Sequence, residues 1–268
     1  MKFFIITKRH ITVALSVILG AALICAGFFT YNTFAAGNRL VPIYSVDCGE
    51  NKKVAFSFDA AWGNEDTEQL IKILGKYDIK ATFFVVGAWV DKYPESVKQL
   101  SDAGHDVENH SNSHPHMPQL SKQQMISELT ACNEKITAVT GTSPVLFRAP
   151  YGDYSNAMIE NVRSIGMYPI QWDVDSRDWK EEYTTDMIVK GVTENVKPGS
   201  IVLFHNAAVN TPEALPVIIE KLLADGYEFV LIEDLIYKDN YIMDHAGKQC
   251  PRQNLNPPKT ANETSSGS

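Results

Sequence analysis

Apolar residues follow two alternating rhythms along this chain. Short apolar runs such as Val54-Ala55-Phe56-Ser57-Phe58 read as buried strands, and stretches with apolar residues every three or four positions read as amphipathic helices. The pattern predicts a strand at 54–58, a helix at 66–77 with Leu70, Ile71, Ile73 and Leu74 inward, a strand at 81–86, and a helix from Pro94 to Gly104. A short strand at 105–108 precedes a long helix, 121–140, which Ser121 and Gln124 open as a capping box. There follow a strand at 144–147, a helix at 156–165, a strand at 167–172, a helix at 185–196, a strand at 201–204, a helix at 212–224 and a strand at 228–232. Strands and helices alternating through about 180 residues demand a largely parallel α/β sheet, doubly wound or closed toward a barrel.

Ahead of the first strand the pattern changes. Ile11 to Phe29 is almost unbroken apolar sequence preceded by Lys8-Arg9. About 20 apolar residues suffice to cross a bilayer, and the basic pair marks the cytoplasmic side. The expected organisation is a basic cytoplasmic start (1–10), one transmembrane anchor (11–34), a stalk (35–50), a folded domain (51–235) and a C-terminal extension (236–268). That extension is rich in Asn, Pro, Ser and Thr and expected to be disordered from about 253. Thr33-Phe34-Ala35 before Ala36 offers a signal-cleavage alternative, in which the domain is secreted instead of anchored. Both place the domain outside the cell membrane.

Charge sharpens this division. The net charge of −8 combines 24 basic and 32 acidic residues, and every acidic residue lies at or beyond Asp47, so 47–268 alone carries −12. Such a domain repels nucleic acid and anionic lipid surfaces. Of four cysteines, Cys25 lies in the apolar segment and Cys132 on the inward face of the long helix with Met125, Leu129 and Ile136, as a core thiol. Cys48 and Cys250 flank the domain and form the candidate disulfide pair in an oxidising exterior.

The unusual polar residues fall at the carboxyl ends of expected strands: Asp59, His110, Arg148, Asp173 and Asp175, and His205. In parallel α/β folds these ends converge on one face, where ligand sites form. His110 and His114 stand four apart, a spacing that lets two neutral imidazoles share one divalent ion, typically zinc. Asp59 emerges from an apolar run, as a general base does, and Arg148 is placed to hold its carboxylate through a bidentate pair. His205 suits a general acid, with Asp175 or Asp178 as the carboxylate that sets its proton affinity. Tyr151 and Trp179 offer flat faces to a sugar ring.

Five motifs carry a resemblance: Ser57-Phe58-Asp59-Ala60-Ala61-Trp62, His110-Ser111-x-x-His114, Arg148-Ala149-Pro150-Tyr151-Gly152, Asp175-x-x-Asp178-Trp179 and Leu203-Phe204-His205. In this order, over about residues 51–235, the chain resembles the NodB-type polysaccharide deacetylases of carbohydrate esterase family four. The resemblance implies a distorted seven-stranded (β/α) barrel that hydrolyses N-acetyl groups of an amino-sugar polymer such as peptidoglycan or a related wall polysaccharide. By motif, it implies Asp59 as base, Arg148 as its orienting partner, His205 as acid and Asp178 as the residue tuning the acid. It makes His110 and His114 metal ligands, the Tyr151 backbone the oxyanion donor, and Trp179 and Leu203 substrate contacts. The first motif departs from the family, because Ala60 stands where a third metal ligand, an aspartate, is usual; the variant resembles the branch that includes sporulation-associated deacetylases. A glycan-binding or structural wall protein on a disabled scaffold is the alternative that Ala60 raises. A metal-independent amidohydrolase of small cyclic amides is a third, and it would have no need of export.

Overall fold

The structure, a computed structural model, describes residues 39–252, and its folded unit begins at Val41. Seven parallel strands form the framework: β2 (Lys53–Ala60), β3 (Thr82–Val85), β4 (Asp106–Asn109), β5 (Leu146–Phe147), β6 (Tyr168–Pro169), β7 (Val174–Asp175) and β8 (Ser200–His205). β8 pairs with both β2 and β7, and β3 to β6 continue outward from β2, so the sheet curls into a half-barrel. Helices α1 (Thr67–Lys76), α2 (Gly87–Lys92), α3 (Pro94–Asp102), α4 (Lys122–Thr140), α5 (Asn156–Ser164), α6 (Thr185–Thr193) and α7 (Thr211–Ala224) occupy the connections.

Strand alternation decides which side chains meet the site. On β2, Val54, Phe56, Phe58 and Ala60 pack into the larger apolar cluster with α1 and α7, where Phe58 stacks between Phe83 and Phe204 at 4.7 and 5.3 Å. The intervening Ala55 joins a second cluster with Phe84, Leu146 and Ile201, so Ser57 and Asp59, which share its face, look into the half-barrel. The capping box on α4 is formed: Ser121 accepts from the Gln124 N–H, and the Gln124 side chain accepts from the Ser121 N–H at 2.9 Å.

Several expected boundaries change. The strands expected at 144–147 and 167–172 shrink to two residues each, and 228–232 divides into β9 (Glu228–Phe229) and a short α8 (Ile232–Leu235). The apolar run Val85-Val86-Gly87-Ala88-Trp89-Val90 hid α2, six residues being too few for a helical period.

The largest correction concerns the expected stalk (35–50) and the extension beyond 235. No pairing among the described residues joins β6 to β7, and the segment from Ile43 to Val46 spans that seam. Ile43 bridges Ile170 beside β6, with Ile43 N–H donating to Pro169 at 2.9 Å and Gln171 N–H to Ile43 at 2.7 Å. β1 (Ser45–Val46) then runs antiparallel to β8. The extension forms a hairpin, β10 (Tyr241–Met243) and β11 (Lys248–Pro251), whose second strand pairs with β1. Burial explains the misreading: Ile43 and Val46 are almost completely enclosed, yet two apolar positions are too few to register as a strand. Cys48 and Cys250 are free thiols, not a disulfide, because the β1/β11 register pairs Val46 with Gln249 and so sets Asp47, not Cys48, level with Cys250. Cys132 is buried as expected, its thiol pushed up to about 12 by burial. Among the described residues no helix is long and apolar enough to cross a membrane; the expected anchor at 11–34 and the disordered tail from 253 lie outside them.

Candidate active site

Asp59, the last residue but one of β2, sits in an almost closed environment and faces Arg148, which follows β5 and is fully buried. The guanidinium donates through Nη1 to Asp59 Oδ1 at 2.8 Å, and through Nη2 to Ser57 Oγ at 2.9 Å and the Gln171 carbonyl at 3.2 Å. Its planar group lies over the Phe84 ring at 4.2 Å. The expected bidentate pair is therefore divided between Asp59 and Ser57. Burial alone would raise the Asp59 pKa, but the charge and hydrogen bond of Arg148, aided by His205, outweigh it and hold the carboxyl below its ordinary value.

His110 follows β4, with Nε2 3.6 Å from Asp59 Oδ2 and Nδ1 2.8 Å from the Arg148 carbonyl. Since a carbonyl only accepts, Nδ1 carries the proton and Nε2 is left as a donor atom toward the pocket. The His114 ring stands 5.1 Å from that of His110. Burial lowers the proton affinity of both, His114 to about 4 with help from the neighbouring His110, so both imidazoles are neutral and able to ligate. Ser111 (φ 70°) and His114 (φ 61°) adopt left-handed backbone, held by bonds the sequence did not disclose. Glu128 of α4 accepts from the Asn112 and Ser113 N–H groups at 2.9 and 2.8 Å, and Asn109 from the Ser111 N–H at 2.7 Å. The donor set fits a divalent ion as a two-histidine site. Ala60 adds only a methyl, packed outward in the apolar core, so position 60 offers no third ligand. A separate acidic trio, Asp106, Glu108 and Glu233, gathers at the start of β4 rather than at the histidine pair.

His205 ends β8, and its register partner on β2 is Asp59, which sets the two side chains on the same face. Asp178, its side chain fully buried, resolves the choice left open with Asp175: Oδ1 lies 2.8 Å from His205 Nδ1, and Oδ2 accepts from the His205 N–H at 2.9 Å and Thr211 Oγ1 at 2.6 Å. Asp175 instead accepts from the Arg177 N–H, and Asp173 is structural, accepting from Ser200 and Ile201. Burial disfavours protonated His205, but the hydrogen bond and charge of Asp178, aided by Asp59 and Asp175, raise its pKa above 6.5. The sign is that of a raised histidine: this pairing stabilises the fold fully below pH 6.5 and is lost as pH climbs through the elevated pKa. The alkaline limb of kcat/KM should accordingly lie above pH 6.5 and move down in Asp178→Asn; a limb that stays in place removes Asp178 as the tuning group.

These groups share a pocket of about 500 Å³ lined by Asp59, His110, His114, Asp175, Leu203 and His205, with Trp62, Tyr151, Gly152, Trp172 and Trp179 around them. Trp62, Tyr151 and Trp179 are more than half exposed, whereas Leu203 presents a small apolar patch at 2% exposure. Trp62 and Trp172 had no assigned role in the sequence; Trp62 is exposed just beyond β2, whereas Trp172 is half-buried. Tyr151 has φ 60° and ψ 5°, and the turn around it closes through Gly152 N–H to Ala149 and Asp153 N–H to Pro150, bonds that do not use the Tyr151 N–H. One buried carboxylate steadied by an arginine, facing a carboxylate-backed histidine across an aromatic-rimmed pocket, makes an acid–base hydrolytic centre.

The chain belongs to the polysaccharide deacetylase family. The family's profile, Polysaccharide deacetylase, matches residues 47–170, which take in Asp59, both histidines and Arg148 but stop short of Asp178 and His205. The peptidoglycan-N-acetylmuramic acid deacetylase PdaA of Bacillus subtilis is 30% identical over 215 residues, 78% of this chain and 76% of that protein. The peptidoglycan-N-acetylglucosamine deacetylase PgdA of Listeria monocytogenes is 34% identical over 69% of this chain, which spans only 39% of the relative's length. Among solved structures, a CE4 family pseudoenzyme from Bacillus anthracis matches with TM-score 0.70 and 35% identity, covering 73% of this chain and 68% of its own.

Proposed function

We propose that this chain removes N-acetyl groups from amino sugars of peptidoglycan or a related wall polysaccharide. We further propose that it works outside the cell, held to the membrane by segment 11–34. What carries the reading is the meeting of Asp59–Arg148 and His205–Asp178 in one pocket beside two neutral histidines. A sugar stacks against the exposed faces of Tyr151 and Trp179, and its acetyl methyl meets Leu203. Asp59 takes the proton of the attacking water, the Tyr151 N–H faces the developing oxyanion, and His205 protonates the nitrogen as the C–N bond breaks, yielding acetate and a free amine. A divalent ion on His110 and His114, zinc by the donor set, would supply Lewis acidity to the acetamide carbonyl and the water. The names of the relatives divide between N-acetylglucosamine and N-acetylmuramic acid, so the proposal stops at an N-acetylated wall glycan.

Ala60 and the pseudoenzyme neighbour favour one other reading, a catalytically impaired glycan-binding protein on the same scaffold. Acetate release from chitooligosaccharides and peptidoglycan, measured with metal content on the native protein and on Ala60→Asp, separates the two. The native protein is expected to release acetate. Release only after Ala60→Asp, with native binding of glycan retained, would establish the impaired scaffold.

A further inference from the structure

The left-handed conformation of Tyr151 needs a support that its own turn does not supply, since a non-glycine residue leaves this region readily unless its surroundings hold it. From below, Gln171 Nε2 donates to the Gly152 carbonyl at 3.1 Å, fixing the next residue. From above, the Tyr151 ring is stacked on His116 at 4.1 Å with the planes 19° apart, and meets the edge of His114 at 4.6 Å. His116 is itself pinned, its Nδ1 2.5 Å from Asp153 Oδ2. The loop after β4 thus brings His114 and His116, the loop after β5 brings Tyr151 and Asp153, and the four side chains lock the loops together at the pocket rim.

We propose that His116 and Asp153 are positioning residues for the oxyanion donor: they clamp the Tyr151 ring and thereby keep its backbone left-handed, with its N–H committed to the substrate and not to the turn. The inference rests on the deacetylase reading. Both side chains are nearly half exposed, at 47% and 44%, and such exposed pairs contribute little to stability, so the clamp acts on local geometry and not on folding.

The test is acetate release from N-acetylglucosamine oligomers by wild type, His116→Ala, His116→Phe and Asp153→Ala. His116→Ala should fold normally and lose about tenfold in kcat, because the lost interaction matters at the oxyanion, with a smaller rise in KM because the freed Tyr151 ring also faces the sugar. Asp153→Ala, which keeps the His116–Tyr151 stack and loses only the bond that pins it, should lose less than His116→Ala. His116→Phe, which keeps the stack without the Asp153 bond, should recover most of the rate. Wild-type kcat in His116→Ala, or a loss confined to KM, overturns the inference. A wild type that releases no acetate defeats the deacetylase reading instead, and crystal structures of wild type and His116→Ala then decide the clamp: Tyr151 leaving positive φ in the variant supports it, and an unchanged φ refutes it.

Discussion

Asp59→Asn is expected to cut acetate release by the purified folded domain on the order of a thousandfold while leaving the circular dichroism spectrum intact. Asparagine matches aspartate in size and can still accept from Arg148 Nη1, so the pocket keeps its shape while the proton acceptor disappears. The base is unusual in its setting. A carboxylate held below its ordinary pKa by Arg148 stays ionised at neutral pH, so the proton acceptor is present in its working form. His205→Ala should produce a comparable loss through the departing amine, with His205→Gln little better, because neither can donate a proton from a cation. Unchanged turnover in both Asp59→Asn and His205→Ala would sink the mechanism.

The second large effect is on stability. Arg148→Met removes the cation from a fully enclosed site and leaves Asp59 buried without its arginine partner, while Ser57, which still donates to the Val202 carbonyl, and the Gln171 carbonyl each lose a donor. Removing one member of a buried ion pair costs about 3–5 kcal/mol, which for a domain of this size lowers Tm by roughly 10 °C. The sign with pH follows from the lowered carboxyl: the Asp59 contribution is present above its ordinary value of 3.8 and disappears as pH falls through the depressed pKa. Thermal melts of wild type and Arg148→Met should therefore differ most near neutrality and converge in strong acid. A gap that persists unchanged to low pH would mean that packing against Phe84, and not charge, is what the arginine contributes.

Much of this centre is legible in the sequence because Asp59 and His205 each follow an apolar run. Asp59 after Phe56-Ser57-Phe58 and His205 after Val202-Leu203-Phe204 announce both a strand and the polar group at its tip. Period-two alternation then sets Ser57 and Asp59 on one face, which is why the Arg148 contact divides between them. The partners that hold these groups are another matter. Glu128 lies mid-helix, where a carboxylate ordinarily faces water, and only the packing of α4 beside β4 brings it to the histidine loop. Thr211, at the start of α7, reaches Asp178 across 33 residues of chain. Such contacts follow from tertiary arrangement, which no local spacing encodes. β7 is likewise invisible, since two residues, Val174 and Asp175, have no period.

The seam spanned by Ile43 to Val46 bears on where the domain can be cut. A fragment chosen by the family motifs, beginning near 51 and ending near 235, discards β1 together with the β10–β11 hairpin. It would leave the Ser200 side of β8 and the Pro169–Gln171 stretch with unsatisfied backbone groups along open sheet edges, and such edges recruit other chains. A soluble, monodisperse enzyme therefore requires both ends of the folded unit, from Val41 through Pro251, although neither end contributes a single catalytic atom.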